Sequence, residues 1–329
     1  MSSWEWLRLI RFIGSMQLIR GIHNIQSNIA GDKQCVLTIG NFDGVHLGHR
    51  RVITALVDKA KKLACVPSVM VFEPQPQELF LPENAPARLT RLRDKYIYLA
   101  RLGVERLICV NFNRQFAAIT ANTFITDLLV KQLRVKHLII GDDFRFGKNR
   151  TGNFALLEQA GKQLDFAVSD TASYKLHQCR ISSTEIRKAL ENNDLGGAEG
   201  MLGRPYSIIG RVFHGDKRGR KLGFPTANVL LKRRVSPVSG VYVVKIDSLT
   251  GQYFGVANIG SRPTFSGVKQ QLEVHIFDFN QNIYGETIEV ILLSKLREEM
   301  KFDSIINLTE QIEYDTKQAR HYVRALKHS

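Results

Sequence analysis

The sequence has few cysteines and no long apolar run. Its four cysteines lie far apart and form no Cys-x-x-Cys pair, so neither a disulfide framework nor a zinc site is indicated. No apolar run approaches the roughly 20 residues that span a bilayer, and no signal-peptide cleavage pattern follows a short hydrophobic core. These absences predict a soluble protein with no membrane partner, in a reducing cytoplasm. The cysteines are Cys35, Cys65, Cys109 and Cys179.

Nucleic-acid-binding motifs are also missing, since the chain has no RNA-recognition aromatic motif, zinc finger or block of lysine and arginine. The net charge is nevertheless +15, which suits either a nucleic acid or a polyanionic nucleotide. The basic residues are scattered among acidic ones, as on a solvated surface. We expect no nucleic-acid partner and keep nucleic-acid binding as a minor hypothesis, which steep salt-dependent binding to random DNA would revive.

The length of 329 residues exceeds what one core usually supports, so two domains are expected. Residues 1–15 mix tryptophans and aliphatic side chains with arginines, like a short interfacial helix. A simpler interpretation is an N-terminal extension before Met16. A polar, glycine-rich stretch at 192–197 precedes a change of pattern, which places the domain boundary near Gly200. The predicted domains are 16–200 and 201–329.

In the first domain, short apolar runs alternate with longer segments of helical spacing. This alternation predicts an α/β Rossmann-like sandwich with a parallel sheet. The predicted strands are 35–39, 66–72, 106–110, 135–140 and 166–168. The predicted helices are 49–63, 89–102, 122–133 and 154–160.

In the second domain, β-rich runs are separated by Gly, Pro, Asn or Ser turns, which predicts a small antiparallel barrel or sandwich. Helical spacing over 304–326 predicts a C-terminal helix that covers it. The predicted strands are 206–213, 240–246, 253–258, 272–278 and 287–293.

A glycine-rich turn follows the first predicted strand and leads into a helix. Glycines let the backbone approach a phosphate, and a helix N-terminus presents unpaired N–H groups. His46 and His49 lie three residues apart at the helix entry and can face the same phosphate. The alternative is that the two histidines only cap the helix. The residues of the turn are Gly40, Asn41, Phe42, Asp43 and Gly44.

Two later motifs have a similar placement. Residues 141–148 follow the predicted strand 135–140, at the edge where open α/β sheets bind ligands. They include Asp143 and do not form a Walker loop, because the glycine spacing differs and Asn149 follows the lysine. Residues 180–187 open the next helix with Ser183, Thr184 and Arg187, for which an ordinary serine cap is the alternative.

The His-x-Gly-His pattern resembles the signature of the nucleotidyltransferase superfamily. Together with residues 112–117 and the two later motifs, it resembles the FMN adenylyltransferase module of prokaryotic FAD synthetases. The resemblance implies that His46 and His49 bind the triphosphate and stabilise the transition state, while Ser183, Thr184 and Arg187 contact ATP phosphates. It also implies ATP contacts from residues 40–44 and from Asp143, where some relatives carry Asn.

A second glycine-rich, basic segment spans 210–228 in the other domain. Its lysines and arginines offset polyphosphate charge, and its glycines let backbone amides close around a phosphate. Gly215, Lys221 and Gly223 are the ATP-binding candidates in this loop. A mobile charged hairpin is the alternative, but it does not account for the run 224–228 that ends the segment.

The tetrapeptide 225–228 resembles the signature of riboflavin kinases, a family with a compact β-barrel. That resemblance implies that Thr226 and Asn228 ligate Mg²⁺ with ATP, and that Glu273 is the general base toward the ribityl 5′-hydroxyl. Alternation on this strand puts Glu273, His275 and Phe277 on one face, and we expect His275 to be structural. Residues 255–264 and 296–302 also match the family and are assigned no individual chemistry.

The two resemblances together predict a bifunctional enzyme that phosphorylates riboflavin to FMN and then joins FMN to AMP from ATP, giving FAD and pyrophosphate. Riboflavin, FMN, ATP and Mg²⁺ are the expected ligands, and a monomer or weak oligomer is expected. A nucleotidyltransferase for another acceptor is the alternative, but it leaves the second domain unexplained.

Overall fold

The computed structural model describes residues 16–25, 33–141, 143–171, 181–214, 223–231, 235–248, 250–264 and 267–328. Residues 1–15, Gly215 and Lys221 lie outside these ranges. The chain forms two compact units. Among the described residues, one unit contains Ala87–Leu89 and the chain from Ser183 onward, and the other contains the residues up to Pro86 together with Thr90–Ser182.

The unit with residues up to Pro86 and Thr90–Ser182, here called the sheet unit, is built on a six-stranded parallel sheet in the order β1-β4-β3-β2-β5-β6. Its central strands are almost fully buried because helices cover both faces, as is usual for parallel sheets. In the sheet, β3 lies on one side of β2, and β5, which follows later in the chain, lies on the other side of β2. The strand order therefore reverses between β2 and β5. The strands are β1 (Gln17–Arg20), β2 (Cys35–Ile39), β3 (Val66–Glu73), β4 (Arg106–Asn111), β5 (Val135–Ile140) and β6 (Ala167–Asp170).

The helices of this unit are α1 (Leu47–Lys62), α2 (Pro76–Phe80), α3 (Leu92–Arg101), α4 (Arg114–Ala117), α5 (Ala121–Thr123) and α6 (Phe154–Leu164). The predicted helix at 122–133 is present, as the short α5 followed by a π-helix over Phe124–Gln132. Its end shows the wider turn directly, since the Leu133 N–H donates to the Leu128 carbonyl. Helical spacing of apolar residues does not separate the two forms.

The other unit contains a closed antiparallel barrel in the order β10-β11-β8-β7-β12-β9. Closure decides between the barrel and the sandwich that the sequence left open. The strand β8 was not predicted, because it lies inside the segment interpreted as a phosphate loop. The strands are β7 (Ser207–Phe213), β8 (Thr226–Leu230), β9 (Gly240–Ser248), β10 (Gly251–Thr264), β11 (Gly267–Ile276) and β12 (Thr287–Arg297).

Three helices accompany the barrel: α7 (Ser183–Glu191), α8 (Leu195–Leu202) and α9 (Ile305–His328). Ala319 and Val323 of α9 pack on Val243 and Phe277, so the predicted covering helix is confirmed. The contact units divide at Ser183, which places α7 and α8 with the barrel. No helix within the described ranges is long and apolar enough to cross a membrane.

Candidate active sites

The loop between β2 and α1 has an unusual backbone. Gly44 has φ 84°, and the non-glycine residues Phe42 and Val45 have φ 46° and 40°. Such conformations cost of order 1–3 kcal/mol each and persist only where surrounding contacts enforce them. The loop lies at the carboxyl edge of the sheet beside the β2/β5 reversal, where ligands bind in open α/β folds.

Asp43 and Thr90 hold this loop in place. The Thr90 backbone N–H and hydroxyl both donate to Asp43 Oδ1, at 3.0 and 3.2 Å. The Thr90 hydroxyl also accepts from the Gly44 N–H at 2.9 Å. Asp43 is 3% exposed, so these bonds are made away from water. The hydrogen bonds between Asp43 and Thr90 therefore help to hold the loop in this conformation.

His46 is the N-cap of α1, and its Nδ1 accepts from the His49 N–H at 3.3 Å. The capping role considered from the sequence is therefore real. Because Nδ1 accepts this bond, a neutral His46 ring carries its hydrogen on Nε2, which can donate to a phosphate. The cap and phosphate binding thus use different nitrogens of the same ring.

His49 stacks on His46 with ring centroids 3.6 Å apart, and Phe42 lies 5.0 Å from the His49 ring. The His49 Nδ1 is buried and has no hydrogen-bond partner among the described residues. Burial lowers the pKa of His49 well below its usual range, and the charges of His46 and Lys95 lower it further. His49 is therefore a neutral imidazole at pH 7, beside the lysine Lys95 that is only 1% exposed.

The other side of the reversal is formed by the segment after β5. A Cβ at Gly141 would lie 2.7 Å from Oδ1 of Asp143, whose exposed side chain is free to shift. Asn41 is also exposed, and Gly40 is partly buried against the Phe42 ring.

A group of phenylalanine rings lies along the same edge of the sheet. Phe72 at the end of β3 contacts Phe112 and Phe116, with centroids 5.5 and 6.0 Å apart. Phe112 also contacts Phe80, whose ring is 5.9 Å away and 58% exposed. The group thus offers a solvent-accessible aromatic surface.

The third sequence motif opens α7, as predicted, but belongs to the barrel unit. Within that unit, Arg187 donates from Nε to the Ala87 carbonyl at 2.6 Å. This bond fixes the guanidinium near the start of α7, where Ser183 and Thr184 lie. Ser183, Thr184 and Arg187 belong to the barrel unit, whereas the two histidines belong to the sheet unit.

The barrel unit has a cavity of about 580 Å³. Thr226 and Asn228 line it on β8, and residues 279–284 form a wall that was not predicted. At this wall the His214 and Tyr284 rings lie 3.8 Å apart. Gly223 has φ 86° and precedes the cavity, whereas the candidates Gly215 and Lys221 lie outside the described residues.

A row of polar side chains crosses three barrel strands. Glu273 on β11 pairs with Asn228 on β8 and with Asn258 on β10. Directly paired residues point to the same face of a sheet, with Cβ atoms about 5 Å apart. Asn258 Oδ1 is buried and has no hydrogen-bond partner in the described part of the chain. Leu272 and Val274, on the opposite face, are fully buried in the barrel core, as the alternation predicts.

Gln271 and His275 flank Glu273 on the same face of β11. Gln271 Nε2 lies 2.6 Å from Asn228 Oδ1 and 3.1 Å from Glu273 Oε1. His275 Nδ1 lies 3.0 Å from the Pro225 carbonyl, and its structural role stays a prediction. Alternation already places Gln271 on this face, so a signal for it was present in the sequence.

Comparison with known proteins assigns both halves of the chain. A sequence model of the FAD synthetase family matches residues 28–185, and one of the riboflavin kinase family matches residues 202–323. The bifunctional riboflavin kinase/FMN adenylyltransferase of Escherichia coli K12 is 53% identical over 308 residues, which cover 93% of this chain and 98% of that protein. The chain belongs to the family of bifunctional riboflavin kinase/FMN adenylyltransferases.

Other members of this family also match this chain over nearly their whole length. The Haemophilus influenzae protein of the same description is 53% identical and covered to 99%, and the Pseudomonas fluorescens protein is 45% identical and covered to 97%. A solved structure described as a macrolide-efflux protein from Streptococcus pneumoniae is 32% identical, with a TM-score of 0.73 over 92% of this chain and 98% of that one. The predicted family, fold class and pair of transferase activities are confirmed, and both activities use ATP.

Proposed function

We propose that the histidine site of the sheet unit adenylylates FMN and that the Glu273 face of the barrel unit phosphorylates riboflavin. The first assignment rests chiefly on the stacked His46–His49 pair at the N-terminus of α1, in which burial keeps His49 neutral. The second rests on the row of Asn228, Glu273 and Asn258, with Asn228 beside the cavity.

In adenylyl transfer, a phosphate oxygen of FMN attacks the α-phosphorus of ATP. The new P–O bond forms as the bond to the pyrophosphate oxygen breaks, and no protein nucleophile is needed. His46 and His49 donate N–H groups to the phosphate oxygens on which negative charge increases. The backbone N–H groups at the start of α1 add to this stabilisation.

The remaining residues of this site hold ATP and the flavin. Gly40 and Gly44 let the loop backbone approach the phosphates, with Asn41, Phe42 and Asp43 completing the loop. Asp143 lies at the second edge of the same crevice. The flavin ring packs on the phenylalanine group around Phe112, because aromatic rings provide the stacking surface that a planar heterocycle needs.

Ser183, Thr184 and Arg187 remain ATP-phosphate contacts in this proposal. Hydroxyl groups at a helix start and a guanidinium that donates several hydrogen bonds are chemically suited to phosphate oxygens. The Arg187–Ala87 bond supports the idea that the guanidinium is pre-positioned.

In the kinase reaction, Glu273 takes the proton of the ribityl 5′-hydroxyl, whose oxygen attacks the γ-phosphorus of ATP as ADP leaves. Asn258 Oδ1 accepts a hydrogen bond from a ribityl hydroxyl, which would satisfy this buried atom. Gly215, Lys221 and Gly223 close over the phosphates.

Thr226 and Asn228 would hold Mg²⁺ through their hydroxyl and amide oxygens. The residues fit: both line the cavity, both offer hard oxygen atoms, and Glu273 is the cross-strand neighbour of Asn228. No cluster of three His, Cys, Asp or Glu side chains suited to a metal occurs in the described ranges, so the ATP phosphates and water would complete the coordination. When bound, Mg²⁺ would neutralise phosphate charge.

Chromatography of flavins tests the proposal directly. Purified protein is incubated with riboflavin, ATP and Mg²⁺, and a parallel reaction starts from FMN. FMN followed by FAD is expected. Absence of FAD from the FMN reaction would contradict the adenylylation assignment, and absence of FMN from the riboflavin reaction would contradict the kinase assignment. The monomeric or weakly oligomeric state and the cytoplasmic location expected from the sequence stay predictions.

A further inference from the structure

The side-chain amide of Gln271 joins two residues of the kinase site. Its Nε2 lies 2.6 Å from Asn228 Oδ1, on the neighbouring strand, and 3.1 Å from Glu273 Oε1, two residues along its own strand. An amide nitrogen carries two hydrogens, so it can donate one bond to each oxygen at the same time. Gln271 itself pairs with Leu230, which makes the bond to Asn228 a diagonal one.

The bond fixes which end of the Asn228 amide is available to a metal. Asn228 Nδ2 points to the Thr226 carbonyl at 3.4 Å, and Oδ1 accepts from Gln271. An amide oxygen has two lone pairs, so Oδ1 keeps one for a cation while its orientation is held. Without the Gln271 donor the amide can rotate and present its nitrogen, which cannot ligate Mg²⁺.

The second bond restrains the carboxylate of Glu273. One of its oxygens accepts from Gln271 on the strand face, so the side chain is restricted relative to Asn228. A reacting oxygen must be placed within a fraction of an ångström for efficient transfer. The same amide therefore sets the relative position of the proton acceptor and the proposed metal ligand.

We propose that Gln271 is a positioning residue of the riboflavin kinase site, which aligns Asn228 and Glu273 through one side-chain amide. This inference rests on the function proposed above for those two residues. Hydrogen-bond partners of metal ligands typically contribute 10- to 100-fold in metal affinity or activity, roughly the effect expected here.

The test uses Gln271→Met, which keeps the length of the side chain and removes the donor, and Gln271→Glu, which replaces the donor by a like charge beside Glu273. The matched control is Gln270→Met, whose side chain lies on the opposite face of the same strand. Binding of Mn²⁺ in the presence of ADP is measured by electron paramagnetic resonance. The signal lost in Asn228→Ala identifies the barrel site.

Gln271→Met is expected to weaken this Mn²⁺ binding and to lower kcat for riboflavin phosphorylation, each by about 10-fold or more, with a change in KM for riboflavin below about 2-fold. Gln271→Glu should lose more Mn²⁺ affinity and more kcat than Gln271→Met, and Gln270→Met should match the wild type in both. FMN adenylylation should be unchanged in all three variants, because it belongs to the other site.

Wild-type Mn²⁺ binding and kcat in Gln271→Met would overturn the inference. Equal loss of both enzyme activities would also overturn it, because Gln271 would then be a folding residue. Failure of the underlying assignment is distinguishable. If Glu273→Gln leaves riboflavin phosphorylation intact, the role proposed for Glu273 is wrong. If Glu273→Gln abolishes phosphorylation and Gln271→Met has no effect on it or on Mn²⁺ binding, only the role proposed for Gln271 is wrong.

Discussion

Replacing Thr90 by valine should loosen the loop that presents the two histidines. The substitution keeps the side-chain shape and removes the hydroxyl that accepts from the Gly44 N–H at 2.9 Å and donates to Asp43 Oδ1 at 3.2 Å. A buried N–H left without an acceptor costs about 1–3 kcal/mol. A cost of about 2 kcal/mol corresponds to roughly 30-fold more frequent opening of the loop, since about 1.4 kcal/mol is a factor of ten.

Hydrogen–deuterium exchange measured by mass spectrometry on peptides covering 40–46 reports this opening. The control is Thr54→Val, which removes an exposed hydroxyl that donates to the Arg50 carbonyl within α1. That change should alter exchange by less than about 3-fold, as is usual for surface positions. FMN adenylylation should fall in Thr90→Val while riboflavin phosphorylation stays constant. Unchanged exchange at 40–46 in Thr90→Val would refute the proposed support of the loop.

Three further predictions concern charged and titratable groups. His49 should remain neutral well below pH 6.5 in an NMR titration of the histidine rings. Its contribution to the free energy of unfolding should be complete above about pH 6.5 and should decline as pH falls through its lowered pKa, because the unfolded state then binds the extra proton. Lys95→Met should raise the pKa of His49 in the same titration, but only in part, because burial is the larger cause; an unchanged pKa would refute the influence of Lys95. Asp315→Asn should lower barrel stability by roughly 3 kcal/mol in thermal unfolding, because Arg297, 2.9 Å from the buried Asp315, loses its charged partner. The control is Asp165→Asn, which removes the charge of Asp165 from an exposed ion pair with Lys136. A smaller loss of stability in Asp315→Asn than in Asp165→Asn would contradict the prediction.

The sequence alone was enough for the architecture where local pattern and tertiary packing agree. The strands at 35–39 and 135–140 are short, largely apolar segments with Gly-containing turns after them, and the structure has both at these bounds. The strand β1 escaped prediction because its four residues are too few to show a period, and its place at the sheet edge is set by pairing with β4.

The residues of the candidate sites also fall into two groups: those that a local pattern indicates and those that only a tertiary contact reveals. His46, His49, Thr226, Asn228 and Glu273 could be proposed from the sequence because each belongs to a short motif or an alternating strand. Thr90 was not found, because its contact with Asp43 joins residues 47 positions apart and no spacing rule reports such a bond.

Lys95 and Asn258 show a second limit of sequence patterns. A lysine in an amphipathic helix is normally solvated, but Lys95 is 1% exposed beside the histidine site. Asn258 lies in a run that matched the kinase family, yet only the β10–β11 register places it opposite Glu273. In both cases tertiary structure, and not local pattern, gives the residue its chemical surroundings.

The central claim is that one chain carries two separate sites, and single-site variants test it most directly. Flavin products are measured chromatographically for Glu273→Gln and His49→Ala, with Glu310→Gln and His321→Ala on exposed positions of α9 as matched controls. Glu273→Gln should abolish formation of FMN from riboflavin and leave conversion of FMN to FAD intact, and His49→Ala should do the reverse. Equal loss of both activities in either variant would contradict two independent sites.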